Sequence, residues 1–134
     1  WGIAIMKKLI LYFFIFFSLT TSAQSWTYID ASKSGVKYYI DFNTIKTLGG
    51  NIYYWELASS PKFLGKNIKW KSRISHKRLN CSLLDSQELL DFFYQNETGE
   101  GKPLYEIMTP SDDWDKLELN SIGEYVAIRA CEGK

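Results

Sequence analysis

The sequence predicts a small α+β domain, an antiparallel sheet carrying one helix at its C-terminal end. Three observations predict it. From Trp26 to Met108 the chain reads as short runs rich in Tyr, Trp and Ile, separated by turns bearing Gly or Pro. The clearest helix start, Ser121 followed three residues later by Glu124, lies close to the C-terminus. Strands followed by a single helix argue for an antiparallel sheet rather than a parallel, doubly wound one.

The first residues belong to a different kind of segment. Residues 1–5 precede Met6 and read as an upstream extension. Lys7 and Lys8 open a charged stretch, residues 9–19 are a continuous apolar run, and Thr21, Ser22 and Ala23 are small residues before a cut ahead of Gln24. Residues 6–23 therefore have the three-part layout of a secretory signal peptide. A membrane anchor is the alternative, but the run falls short of the roughly 20 residues a spanning helix needs. The domain itself is expected over residues 24–134, with no transmembrane segment once the leader is cut.

The whole chain carries a formal net charge of +1, and loss of Lys7 and Lys8 leaves about −1. No global field points to nucleic acid. A domain of this size hides roughly 60–70% of its unfolded surface, so a cross-link would help it. Two cysteines in an exported chain, Cys81 and Cys131, read as one disulfide because the compartment is oxidising. A metal pair and a reactive thiol are the competing readings. Two cysteines with the lone His76 supply too few ligands for a zinc site without carboxylates.

Residues 25–30 and 36–41 alternate as two strands around a polar turn. Residues 42–46 lack alternation and fit one helical turn capped by Asp41. Gly49-Gly50-Asn51 is a hairpin signal, and residues 52–58 form a third strand with large residues on both faces. Residues 59–65 hold Pro61 and Gly65 and read as a loop. In the fourth strand, residues 67–81, Ile68, Trp70, Ser72 and Ile74 share one face at period two, and Lys69, Lys71 and Arg73 share the other. Residues 83–94 fit a helix spacing or a bent strand about equally, and Phe92-Phe93-Tyr94 before a turn favours the strand. Residues 97–102 are a Gly-rich turn, and residues 103–108 a short strand that Pro103 pushes to an edge. Residues 109–116 form an acidic loop. The helix runs from Ser121 to about Cys131, with Ile122, Tyr125, Val126 and Arg129 near one another on its surface. Alone it would be marginal; a disulfide at its last turn would hold it to the sheet.

Residues 62–78 concentrate cations without an acid: Lys62, Lys66, Lys69, Lys71, Arg73, Lys77 and Arg78, plus His76. Residues 85–106 reverse the sign, with Asp85, Glu88, Asp91, Glu97, Glu100 and Glu106 against Lys102. Two readings stay open. Neighbouring strands can pair these charges, each pair contributing about 0.2–1 kcal/mol, or the cations can form a basic face for an acidic partner. The many strand aromatics first serve to fill a thin core, leaving a minority for a surface patch.

Catalysis is poorly supplied. His76 has no linked nucleophile or carboxylate in sequence, so no enzyme, cofactor or metal site is expected. Asp112, Asp113 and Asp115 lack the spacing and glycine of a calcium loop and read as a solvated turn. Asn96-Glu97-Thr98 matches a glycosylation pattern of low specificity.

The order of landmarks carries more. Trp26 is followed by Tyr38-Tyr39-Ile40-Asp41, Trp55-Glu56-Leu57, Lys71-Ser72, Cys81, the turn with Gly99 and Gly101, Trp114, Ser121-Ile122-Gly123-Glu124 and Cys131. This series resembles the bacterial surface-adhesin protein E family over residues 26–131. The resemblance implies a curved antiparallel sheet of about six strands, one C-terminal helix tied to it by a Cys81–Cys131 disulfide, and a homodimer. It also implies an adhesin for host matrix or serum proteins of the vitronectin, laminin and plasminogen type, with contacts in the middle of the chain. The leader departs from the family's lipoprotein prototype, since no cysteine stands at the cut. Periplasm, cell surface and secretion all stay open as locations. The functional expectation is an exported binding module, and the alternative is a periplasmic structural or assembly protein with no host ligand.

Overall fold

The computed structural model describes residues 24–108 and 113–133; the expected signal peptide and upstream extension lie outside them, as do Asp112 and part of the acidic loop. Eight strands form one antiparallel sheet. They are β1 (Thr27–Ala31), β2 (Lys37–Ile40), β3 (Lys46–Leu48), β4 (Asn51–Leu64), β5 (Trp70–Asn80), β6 (Asp85–Tyr94), β7 (Tyr105–Met108) and β8 (Asp115–Lys116). A 3-10 turn, Phe42–Thr44, separates β2 from β3, and helix α1 spans Ile122–Glu132. The main path of the sheet is β1-β2-β4-β5-β6-β7, an open order with β1 and β7 at its edges. These six match the expected count; β3 and β8 are additions that pair with β4 and β6.

Two predicted boundaries move. β4 continues past Ala58 to Leu64, through the stretch read as a loop. Pro61 cannot donate to a ladder, and β4 solves this with an irregularity between Ser59 and Leu64. There the Ser60 hydroxyl accepts from the Lys62 N–H at 3.1 Å and donates to the Lys62 carbonyl at 2.7 Å. Ile68, placed in the fourth strand by its alternation, precedes β5 and is exposed.

The β4–β5 ladder sorts the core. Directly paired residues share a face, so Ile52 joins Leu79, Tyr54 joins Lys77 and Glu56 joins Ser75 on one side. On the other side Tyr53 joins Arg78, Trp55 joins His76 and Leu57 joins Ile74. The first face takes the helix: Val126, Ala127 and Ala130 bury against Ile40, Ile52, Tyr54 and Leu79. The two alanines let the helix backbone approach the sheet. Tyr125, near Val126 on the helix surface, is 44% exposed. The docking face is turned toward Ala127 and Ala130, whose small side chains give no apolar signal of their own.

The helix is capped as its sequence predicts, with one adjustment. The Ser121 hydroxyl accepts from the Glu124 N–H at 3.1 Å. The Glu124 carboxylate returns to the Asn120 N–H, one residue earlier than a capping box requires. Cys81, directly after β5, bonds to Cys131 in the last turn of α1, with Cα atoms 5.9 Å apart. A bond between residues 50 apart fastens a marginal helix to the end of a central strand. The paired variant Cys81→Ser/Cys131→Ser is expected to lose up to about 4 kcal/mol of stability in guanidinium melts. A loss below about 1 kcal/mol would show that the alanine face alone docks the helix.

Candidate functional site

The basic run of residues 62–78 is divided in two by the strands it occupies. β2 stops pairing with β4 at Ser59, and β6 stops pairing with β5 at Ser72. Beyond those positions the β4–β5 hairpin continues as a two-stranded ribbon over residues 60–71, with Trp70 packed back against Phe93 of β6. Lys62, Lys66 and Lys69 are exposed there, beside Phe63 at 50% and Ile68 at 49% exposure. The Lys69 ammonium donates to the Gly65 carbonyl at 2.8 Å, and Lys71 lies 4.8 Å from the Phe63 ring centre. Gly65 sits at φ +92°, where an added Cβ would come within 2.3 Å of the Ile68 carbonyl oxygen. The tip is thus a tight turn that only glycine fits.

The other three cations lie within the sheet. Lys77 pairs with the buried Glu56 at 2.5 Å. Arg73 approaches Glu88 at 3.9 Å. Arg78, on the opposite face, donates to the Gln87 side chain and stacks over Trp114 with its guanidinium carbon 4.4 Å from the ring centre. The charge pairing weighed from sequence therefore accounts for Arg73 and reaches Lys77 from β4 rather than β6. Trp70, expected opposite the cations, packs edge-on against Phe93, whose backbone partner is Arg73. The ribbon's irregular pairing near Trp70 breaks the simple alternation.

The helix-side charges form one network. Burial works against the Lys77 ammonium, but Glu56 beside it outweighs that and holds the group above its ordinary range. Burial raises the Tyr54 phenol, and Glu56 raises it further. Burial also raises Glu88, with Lys77 and Arg73 opposing and the neighbouring Asp91 assisting. Lys77→Met would strand the Glu56 carboxylate in the interior. It is expected to cost about 3–5 kcal/mol in urea melts, whereas Lys77→Met with Glu56→Gln is expected to recover a measurable part of that loss.

The face away from the helix carries an aromatic cluster of its own. Trp55 and His76 stack with ring centres 4.5 Å apart and 18° between planes, and Phe92 lies 6.3 Å from Trp55. At one end the loop after β6 closes over this face. Its anchor is Ser72, which donates to the Asn96 carbonyl at 2.6 Å and accepts from the Gly99 N–H at 3.0 Å. The Asn96 side chain accepts from the Thr98 and Glu100 N–H groups, so the residue that matched a glycosylation pattern shapes this loop. A cleft of about 500 Å³ remains there between Trp26, Tyr39, Leu57 and the 97–100 loop. At the other end the face is open. A second cleft of about 670 Å³ lies where Tyr53, Trp55 and His76 meet the 3-10 turn and β3. Sequence reasoning passed over it, because only the β4–β5 register puts His76 beside Trp55.

The described residues thus present a basic ribbon and an open aromatic face. No cluster able to hold a metal occurs among the described residues, and no described helix is long and apolar enough to cross a membrane. The family model for surface-adhesin protein E matches residues 26–132. The chain belongs to the surface-adhesin protein E family. Among solved structures it is similar to crystal form II of Haemophilus influenzae protein E, at 21% identity and a TM-score of 0.58, covering 84% of this chain and 91% of that one. A selenomethionine form of the same protein matches at 20% identity and a TM-score of 0.58, covering 85% and 93%. At these identities the likeness shows the fold. Among curated proteins, none matches the chain. Membership in the adhesin E family makes this an adhesin-like protein of the surface or exported class.

His76 has a measurable signature. Burial, with repulsion from Lys46 added, holds it below its ordinary value of 6.5. A lowered folded-state value means that its contribution to stability is complete above about pH 6.5 and is lost as pH falls through the folded value. Thermal melts between about pH 7.5 and about pH 5 should therefore fall less steeply for His76→Gln than for the wild type. Identical slopes would show that the imidazole titrates as it does in the unfolded chain.

Proposed function

We propose that this adhesin E domain is an exported binding module whose β4–β5 ribbon meets acidic segments of host matrix or serum proteins. The vitronectin, laminin and plasminogen type of partner is the one its family resemblance suggests. The observation that supports this reading is the basic ribbon itself. It presents Lys62, Lys66, Lys69 and Lys71 around exposed Phe63 and Ile68, and no acid occurs between Glu56 and Asp85. Such a tip steers an acidic partner electrostatically and offers it apolar contact on arrival. Arg73, Lys77 and Arg78 enter the same reading in another role. Each is held by a sheet partner, so they brace the root of the ribbon.

The test is binding of the mature, non-reduced domain to immobilised vitronectin and laminin across a salt series. Binding is expected to weaken steeply as salt screens the tip. The triple variant Lys62→Glu/Lys66→Glu/Lys69→Glu should lose at least about tenfold in affinity, or about 1.4 kcal/mol, while Lys102→Glu behaves as the wild type. Salt-insensitive binding, or a triple variant that binds normally, would remove the ribbon from the contact. Cell fractionation that finds the protein confined within the outer membrane would favour a periplasmic assembly role.

A further inference from the structure

The open cleft at the root of β4 has a chemistry different from that of the ribbon. Its floor is Trp55 stacked on His76, with the Tyr53 ring 6.2 Å from the imidazole. Its walls are Asn43 and Thr44 of the 3-10 turn and Lys46, Thr47 and Leu48 of β3. At about 670 Å³ it falls within the range of small-ligand sites, roughly 300–1,000 Å³.

Three features narrow what it would hold. The floor is a half-buried aromatic surface, suited to the C–H face of a pyranose ring, which can cover it without giving up its hydroxyl hydrogen bonds. The walls supply neutral hydrogen-bonding groups, and among the described residues the Asn43 side-chain amide has no hydrogen-bond partner. The charge is single and positive. Lys46 is exposed with no carboxylate partner among the described residues, and none of the eight lining residues is acidic.

We propose that this cleft binds a carboxylated pyranose, the terminal acidic sugar of a glycan. Its ring lies against Tyr53 and Trp55, its carboxylate meets Lys46, which shares the face of Tyr53, and its hydroxyls reach the Asn43 amide. An apolar lipid would leave the polar walls unpaired. A neutral sugar would leave Lys46 unused. A phosphate or sulfate group is better matched by several cations or an arginine fork, and the lining has neither. The cleft lies about ten residues along β4 from the ribbon tip, roughly 30 Å at strand spacing. It deepens the adhesin reading by adding a glycan contact, and it rests on that reading only for the source of the glycan.

The test uses isolated sugars, so its outcome is independent of whether the ribbon binds host protein. The mature, isotope-labelled protein is titrated with the methyl glycosides of N-acetylneuraminic acid and glucuronic acid, and with methyl galactoside as the neutral control. Saturable shifts of the Trp55 indole and His76 imidazole signals are expected, with a Kd near about 1 mM for at least one acidic sugar. The galactoside should bind at least about tenfold more weakly. Lys46→Gln, at an exposed position, should abolish the preference for acid, and the ribbon triple variant should bind as the wild type does. Trp55→Leu should lose both kinds of sugar, if its remaining spectrum shows an intact fold. Absence of shifts with both acidic sugars, equal binding of the galactoside, or an acid preference retained in Lys46→Gln would each overturn the proposal.

Discussion

The structure depends on one ladder. β4 and β5 pair continuously from Ile52 with Leu79 to Ser59 with Ser72, and every other element takes its place from that register. The pairing sends Ile52, Tyr54 and Leu79 to the helix and Trp55, His76, Leu57 and Ile74 to the opposite face. A slip of one residue would exchange the two sets. It would put the Tyr53–Arg78 row under α1 and carry Cys81 away from Cys131. The disulfide thus holds more than the helix: it closes only when the ladder is in register.

The register also decides which charges can remain free. In the central strands a cation is largely shielded from water and needs a partner, and here each has one: Lys77 on Glu56, Arg73 on Glu88, and Arg78 on Gln87 and Trp114. Glu88 and Asp91 crowd the same face, and Lys77 and Arg73 only partly offset the burial that raises Glu88. The interior stretch of the basic run is therefore partnered within the sheet. Along β4 and β5, it is past Ser59 and Ser72, where the flanking strands end, that lysines stand in water without carboxylates beside them.

Much of this was legible in the sequence where the signal is local. Asp41 does cap a short turn, the glycines after Leu48 do close a hairpin, and Ser121 does start the helix. Residues 83–94 read equally as helix or bent strand for a reason now visible. β6 pairs Leu90 with His76 but Glu88 with Lys77, leaving Leu89 as an extra residue. That bulge sets Gln87 and Leu90 on one face three residues apart, a spacing borrowed from the helix. What was not legible depends on pairing. Ser59-Ser60-Pro61 looks like a loop until β5 lies beside it. Which side of the helix packs is not set until the sheet meets Val126, Ala127 and Ala130. The meeting of Trp55 with His76 exists only in the ladder.

The two proposed binding surfaces are what these constraints leave uncovered. One face of the sheet is occupied by α1, and the end of the other is occupied by the loop that Ser72 and Gly99 hold down. An added Cβ at Gly99, which lies at φ +66°, would come 2.7 Å from Ile74, so that loop sits on the sheet with no space to spare. What remains is the root of β4, where aromatic rings face solvent because no element crosses them, and the tip, where lysines do. The ladder that joins them carries polar, paired or buried side chains between. On the two proposals, a long ribbon with an uncompensated end and an aromatic root would engage two unlike chemistries without either weakening the core that separates them.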